Sequence, residues 1–135
     1  MKFERQFFQK IEFTPNQIQN YLDSAKHDLS IAKQSDIPDV VFKFSYDSFV
    51  KIGITLIASY NYRVRSNTGH HIKIIEKTSQ ILNDETILIL GNRMRKERNL
   101  NLYDGIVFIS DKESSEYLDF VEQVFKKVKK VLRTA

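Results

Sequence analysis

The chain has 135 residues, a formal net charge of +4 and no cysteine. That length supports one domain with a single core, the lack of cysteine excludes a disulfide or thiolate zinc site, and the modest positive charge permits an acidic partner such as RNA without demanding one. Four glycines and two prolines are too few turn residues for an all-β chain, so helices are expected to dominate.

The first thirteen residues form a phenylalanine-rich arm, with Phe3, Phe7, Phe8, Ile11 and Phe13 among charges. Phe3, Phe7 and Ile11 fit helical spacing and Ile11 and Phe13 fit extended spacing, so its state is open. So apolar an arm must be covered, either by the body of the same chain or by a partner. Residues 14–135 are expected to form one helical domain. Thr14-Pro15-Asn16-Gln17 is a capping-box pattern that starts a first helix, whose stripe runs through Ile18, Tyr21, Leu22, Ala25, Leu29 and Ala32.

Asp36-Ile37-Pro38 opens a second helix, predicted over 38–62. It is apolar on most sides (Val40, Val41, Phe42, Phe44, Phe49, Ile52, Ile54, Leu56, Ile57), which makes it the central helix. Gly53, Ala58 and Ser59 would let neighbours approach closely. Residues 63–69 read as a polar loop, and a helix over about 70–82 follows with Ile72, Ile75 and Leu82 inward.

Asn83 is expected to cap the next helix, which runs without a turn signal from Thr86 to Asp104. At 100° per residue, Ile87, Leu90, Gly91, Met94, Arg98, Asn101 and Leu102 share one stripe. It is apolar for two turns and then presents an arginine and an asparagine where the core face should continue. Arg95, Asn99 and Tyr103 make a flanking row at i, i+4, i+8. Two accounts are open. Either Arg98 marks the end of the bundle, its stem on apolar surface and its head in water, or this helix end is a place to hold a phosphate.

Ile106-Val107-Phe108-Ile109 is predicted to tuck under the bundle. Ser110-Asp111-Lys112-Glu113 is a second capping-box pattern, starting a last helix with the stripe Tyr117, Val121, Val124, Val128 and Val131. Lys126, Lys127, Lys129, Lys130 and Arg133 crowd its end, as cations favoured by the macrodipole or as a secondary RNA or membrane-surface patch. The sum is an all-α fold, an up-and-down antiparallel bundle of about five helices.

No metal-ligand spacing is present, and neither a phosphate-cradling glycine loop nor a serine-nucleophile elbow, so no metal or cofactor is expected. His70 and His71 diverge by 100° on a helix and do not suit one metal; structural roles and the supply of an imidazole to a cleft are both open. No apolar run approaches the roughly 18 residues of a membrane span. The charged start Met1-Lys2-Phe3-Glu4-Arg5 is not a secretory signal, so a cytoplasmic location without membrane contact is expected.

Three stretches carry a resemblance to the higher-eukaryote-and-prokaryote nucleotide-binding (HEPN) domains. They are Tyr21 to Ala32, the long apolar helix followed by Gly69-His70-His71, and Arg95-Lys96-Glu97-Arg98-Asn99-Leu100-Asn101-Leu102-Tyr103-Asp104. The resemblance implies a helical bundle that usually dimerises with the signature helices facing across a cleft. In active members an arginine is followed, after four to six residues, by histidine, and the activity is metal-independent RNA cleavage. Many are toxins paired with a nucleotidyltransferase antitoxin, or parts of defence systems. Arg98 and Asn99 match that signature, while Tyr103 stands where the histidine would be.

The resemblance thus implies a catalytic set of Arg98, Asn99 and Tyr103, with Arg95, Lys96, Arg98 and Asp104 binding RNA or a nucleotide. Arg98 would clamp a phosphate bidentately and Asn99 would orient it. Histidine suits proton transfer because its pKa lies near neutrality. Tyrosine, with a pKa of about 10, is a poor base at neutral pH but donates a hydrogen bond. A catalytically inactive protein-interaction module is the alternative.

Overall fold

The computed structural model describes residues 1–67, 69–104 and 108–134, with Tyr103, Asp104 and Thr134 described by their backbone only. Among these residues are five helices, α1 (Pro15–Gln34), α2 (Pro38–Ser59), α3 (His70–Leu82), α4 (Glu85–Asn99) and α5 (Asp111–Thr134), and two short strands, β1 (Phe8–Lys10) and β2 (Tyr62–Val64). The fold is an all-α bundle with a two-stranded antiparallel ribbon on its side. No helix among the described residues is long and apolar enough to cross a membrane.

Local chemistry explains the helix starts. Thr14 and Gln17 make the reciprocal capping box, Thr14 Oγ1 accepting from the Gln17 N–H at 3.1 Å and Gln17 Oε1 from the Thr14 N–H at 2.9 Å. Ser110 Oγ accepts from the Glu113 N–H at 3.1 Å to start α5. The expectation for α4 was one residue out. Asn83 instead closes α3 in the left-handed region (φ 50°), which asparagine tolerates, and Asp84 caps α4 by accepting from the Thr86 N–H at 3.0 Å.

The central position of α2 is plain in the contacts: it packs on α1, α3, α4, α5 and β2. Tyr46, Phe49, Ile52, Leu56 and Ile57 are fully buried along it. Ser48 Oγ donates to the Ala25 carbonyl at 2.7 Å, and Lys51 pairs with Asp28 at 2.7 Å, joining α2 to α1. On its other side the absence of a side chain at Gly53 decides the spacing. A Cβ there would stand 2.5 Å from Ile74 Cγ2 and 2.7 Å from Thr78 Oγ1, so α3 lies directly on α2 backbone.

The second helix ends at Ser59, before the predicted residue 62. Asn61 takes a left-handed conformation (φ 64°) and turns the chain into β2, which pairs with β1 in the register Phe8↔Val64, Gln9↔Arg63, Lys10↔Tyr62. Part of the predicted 63–69 loop is therefore strand. The phenylalanine arm lies on the body of its own chain, with Phe8 buried and Phe3 stacked on Tyr62 at a centroid distance of 4.1 Å. The strand β2 carries the chain back along α2, so that Tyr46 meets His71 and Gly53 meets Ile74: α2 and α3 run in the same sense. The helix pairs α3/α4 and α4/α5 are antiparallel, as shown by Gly91–Ile75 with Ser79–Asp84 and by Arg93–Tyr117 with Asp84–Lys127, while α1 and α2 are joined by residues 35–37 alone and pack along each other.

Two further expectations change near the signature. The helix does not run unbroken to Asp104; α4 stops at Asn99 and a π-helical segment, Leu100–Asp104, follows. The wider π turn breaks the 100° register on which the placement of Asn101, Leu102 and Tyr103 depended. In the connector, Ile109 is buried but Phe108 is 85 % exposed, so Phe108 does not tuck under the bundle. Ile106 and Val107, with Gly105, lie outside the described residues.

Candidate functional site

The stripe on α4 dictates where Arg98 goes. Ile87, Gly91 and Met94 are buried against the core, and Arg98, one turn further on the same face, is half-buried. Its guanidinium carbon lies 5.9 Å from the centroid of the Tyr46 ring, at the outer range of a cation–π contact. Arg98 therefore points to the seam where α2, α3 and α4 converge.

Tyr46 is 1 % exposed, and its hydroxyl is 2.9 Å from Nδ1 of His71, in the first turn of α3. Burial pushes the Tyr46 phenol up to about 12, outweighing the opposite pull of Arg98 and Arg95, so the phenol keeps its proton. His71 is pushed down to about 4, first by burial and then by the positive environment of His70, Arg98 and Arg95. At neutral pH the imidazole is uncharged.

Both groups are neutral, so the direction of the hydrogen bond is assigned from the need of the buried hydroxyl for an acceptor. Among the described residues the Tyr46 hydroxyl has no other hydrogen-bond partner, and a buried O–H left without an acceptor is costly. Tyr46 therefore donates to Nδ1, and the neutral ring of His71 carries its own hydrogen on Nε2. The lone pair of His71 is occupied. What it offers a ligand is an N–H donor.

Arg98 is shared by two clefts. One, of about 250 Å³, is lined by His70, His71, Arg95, Arg98 and Asn99, together with Gly69 and Ile72. The other, of about 370 Å³, is lined by Phe42, Tyr46, Leu102 and Asn101, with Asp39, Lys43 and Asp47 around them. The first is rich in donors and cations, the second has aromatic and apolar walls with carboxylates. A larger cleft of about 590 Å³ lies between α1 and α5, lined by Ile18, Leu22, Phe125, Lys129 and Arg133 among others, and contains no member of the signature.

Of the residues singled out in the sequence, Arg95, Arg98 and Asn99 come together on the donor-rich cleft. Arg95 is held there by its Nε donating to Asn92 Oδ1 at 3.3 Å. Lys96 is exposed and lines neither cleft. The side chains of Tyr103 and Asp104 lie outside the described residues. His71, one of the two histidines that could supply an imidazole, lines the cleft, and so does His70, which contacts the Asn67 carbonyl at 3.1 Å through Nδ1. Tyr46 was not anticipated. Its only signal was a phenol on a helix apolar all round, where a buried hydroxyl needs a partner.

A second group of titratable side chains occupies the opposite side of α4. Glu97 faces Glu113 and Tyr117 of α5, and Arg93 Nε donates to the Tyr117 hydroxyl at 3.0 Å. Burial, and then Glu113, push the Glu97 carboxyl up to about 7. Glu97 Oε2 is buried without a hydrogen-bond partner among the described residues. This group belongs to the α4–α5 seam and lines neither cleft at Arg98.

Among the described residues no group of three or more histidine, aspartate or glutamate side chains is placed to hold a metal ion. The cations at the end of α5 are in part structurally engaged: Lys127 Nζ lies 2.6 Å from Asp84 Oδ2, the residue that caps α4. No family model matches the chain, and no curated protein or solved structure matches it.

Proposed function

We propose that the chain is a HEPN-like helical domain that binds the phosphate of a nucleotide, free or within an RNA strand, at Arg98. The observation that carries this is the position of the Arg98 guanidinium between two clefts, one of them lined also by Arg95, Asn99 and the uncharged His71. Arg95, Arg98, Asn99 and His71 together offer cationic and neutral donors to one anion.

The same chemistry favours holding a phosphodiester over cutting it. Metal-free RNA cleavage needs a group to take the 2′-hydroxyl proton. His71 has its lone pair committed to Tyr46 and a proton affinity far below neutrality. Glu97, whose carboxyl titrates near neutrality, faces α5 and not the cleft. A homodimer, with RNA between two copies and a nucleotidyltransferase-type partner, belongs to the same proposal. Leu100 and Leu102, exposed apolar side chains on the segment that follows Arg98, support it.

The test is fluorescence anisotropy with a labelled single-stranded RNA in EDTA, comparing wild type with Arg98→Ala and following the RNA length on a gel. The expected result is an intact RNA and a loss of affinity of about tenfold or more on removing the guanidinium, the usual effect of a charge-assisted hydrogen bond. Equal affinity of the two proteins overturns the assignment.

A further inference from the structure

The two clefts that meet at Arg98 have opposite character, and that polarity matches one kind of ligand. On one side stand cations and N–H donors; on the other, apolar walls from Phe42, Tyr46 and Leu102 with the carboxylates of Asp39 and Asp47, the ammonium of Lys43 and the amide of Asn101. A ligand that fills both must join an anionic end to a flat apolar body whose edge donates hydrogen bonds. A nucleotide has this layout. We infer that the cleft of about 370 Å³ between α2 and the π-helical segment is a base pocket that prefers guanine, an inference that rests on the phosphate site at Arg98 proposed above.

Size and walls suit a base. The volume falls in the range of small-molecule sites, and aromatic or apolar faces accept the stacked plane of any base. Selectivity comes from the carboxylates. Lys43 Nζ pairs with Asp47 Oδ2 at 3.0 Å, while Asp47 Oδ1 carries no hydrogen bond among the described residues. An ionised carboxylate only accepts. Guanine presents two adjacent donors on its Watson–Crick edge, N1–H and the 2-amino group. Adenine and cytosine present one amino group beside an acceptor nitrogen, and uracil one N–H between two carbonyls. Against a carboxylate, each acceptor on the edge is repelled, so guanine is best matched and uracil worst. The pairing of Lys43 with Asp47 also limits the repulsion between that carboxylate and the ligand's phosphate.

The experiment is isothermal titration calorimetry of the full chain in EDTA with the four ribonucleoside 5′-monophosphates and inorganic phosphate. The proteins are wild type, Arg98→Ala, and the surface variants Asp47→Asn and Asp39→Asn. Expected are an affinity for GMP about tenfold above that for UMP, a collapse of that ratio to within about twofold in at least one aspartate variant, and unchanged affinity for inorganic phosphate in that variant. Equal affinity for all four nucleotides, each lost in Arg98→Ala, overturns the base pocket and leaves the phosphate site standing. A preference for GMP that survives both aspartate substitutions overturns it too, as does a variant that weakens GMP and phosphate alike. If neither nucleotides nor phosphate bind wild type, both proposals fall.

Discussion

The Tyr46 hydroxyl and Nδ1 of His71, 25 residues apart in sequence, meet at 2.9 Å and join the central helix α2 to the first turn of α3. Burial, then His70 and Arg98, hold the His71 pKa low, and a phenol that donates to Nδ1 would add to this by stabilising the uncharged ring. Tyr46→Phe removes the donor and keeps the ring. The expected outcome is a rise of the His71 pKa from about 4 by about one unit, read from the imidazole proton shifts by NMR, with a stability loss of about 1 kcal/mol. An unmoved titration would mean that Tyr46 does not set the tautomer.

His71 and Glu97 oppose each other in the pH dependence of stability. His71 has a folded pKa of about 4, below its ordinary 6.5, so the unfolded chain takes up a proton first and stability falls as pH drops from about 6.5 to 4. Glu97 has a folded pKa of about 7, above its ordinary 4.5, so stability is greatest below 4.5 and falls as pH rises towards 7. Both side chains are only partly buried, and solvent screening reduces each contribution to about 1 kcal/mol. Over pH 4.5–6.5 the two slopes partly cancel. Glu97→Gln should leave a stability that declines on acidification through that window, and His71→Gln one that declines on alkalinisation. Urea melts at half-unit pH steps check this; parallel curves for the two variants would contradict it.

A close approach in the core controls the angle at which α4 presents Arg98. A Cβ on Gly91 would stand 2.8 Å from Phe49 Cζ and 2.9 Å from Ile75 Cγ2. Phe49 and Ile75 are fully buried and have little room to yield. Gly91→Ala gains helix propensity of about 1 kcal/mol but suffers overpacking of about 1–3 kcal/mol, and a net loss of about 1 kcal/mol is expected. The check is thermal unfolding followed by circular dichroism; a stabilised variant would show that α4 can move away from α2 without strain.

Much of this fold is written locally. Thr14 and Gln17 announce α1, the stripe from Tyr117 to Val128 announces the buried face of α5, and the width of the apolar surface on α2 announces its central place. What escaped is non-local or too short to be periodic. Each strand has three residues, and Phe8-Gln9-Lys10 and Tyr62-Arg63-Val64 alternate only once, so their pairing across more than fifty residues left no pattern to read. The π-helical turn after Asn99 changes register without a glycine or proline to mark it. Arg98 stood out because it interrupts a stripe. Tyr46 did not, and although His71 was a candidate imidazole, the contact between the two was hidden because it depends on how the chain returns along α2 before α3.

Phe8 in the arm and Phe108 in the connector before α5 give the clearest contrast between a covered and an uncovered phenylalanine. Phe8 is 2 % exposed, its strand pairs with β2, and Lys77 Nζ lies 5.3 Å from its ring centroid. That lysine is itself held by donating to the Lys2 carbonyl at 2.6 Å and to Gln80 Oε1 at 2.8 Å. Phe8→Ala therefore empties an apolar site and loosens the cover over a buried cation, and a loss of about 3 kcal/mol or more is expected. Phe108→Ala removes a ring that already stands in solvent and should change the stability of the isolated chain by less than about 0.5 kcal/mol. Chemical denaturation of both variants, with light scattering to hold the oligomeric state fixed in the comparison, measures the difference. If Phe8→Ala were as mild as Phe108→Ala, the arm would have to leave the body readily, and a partner chain would be the better candidate for covering its phenylalanines.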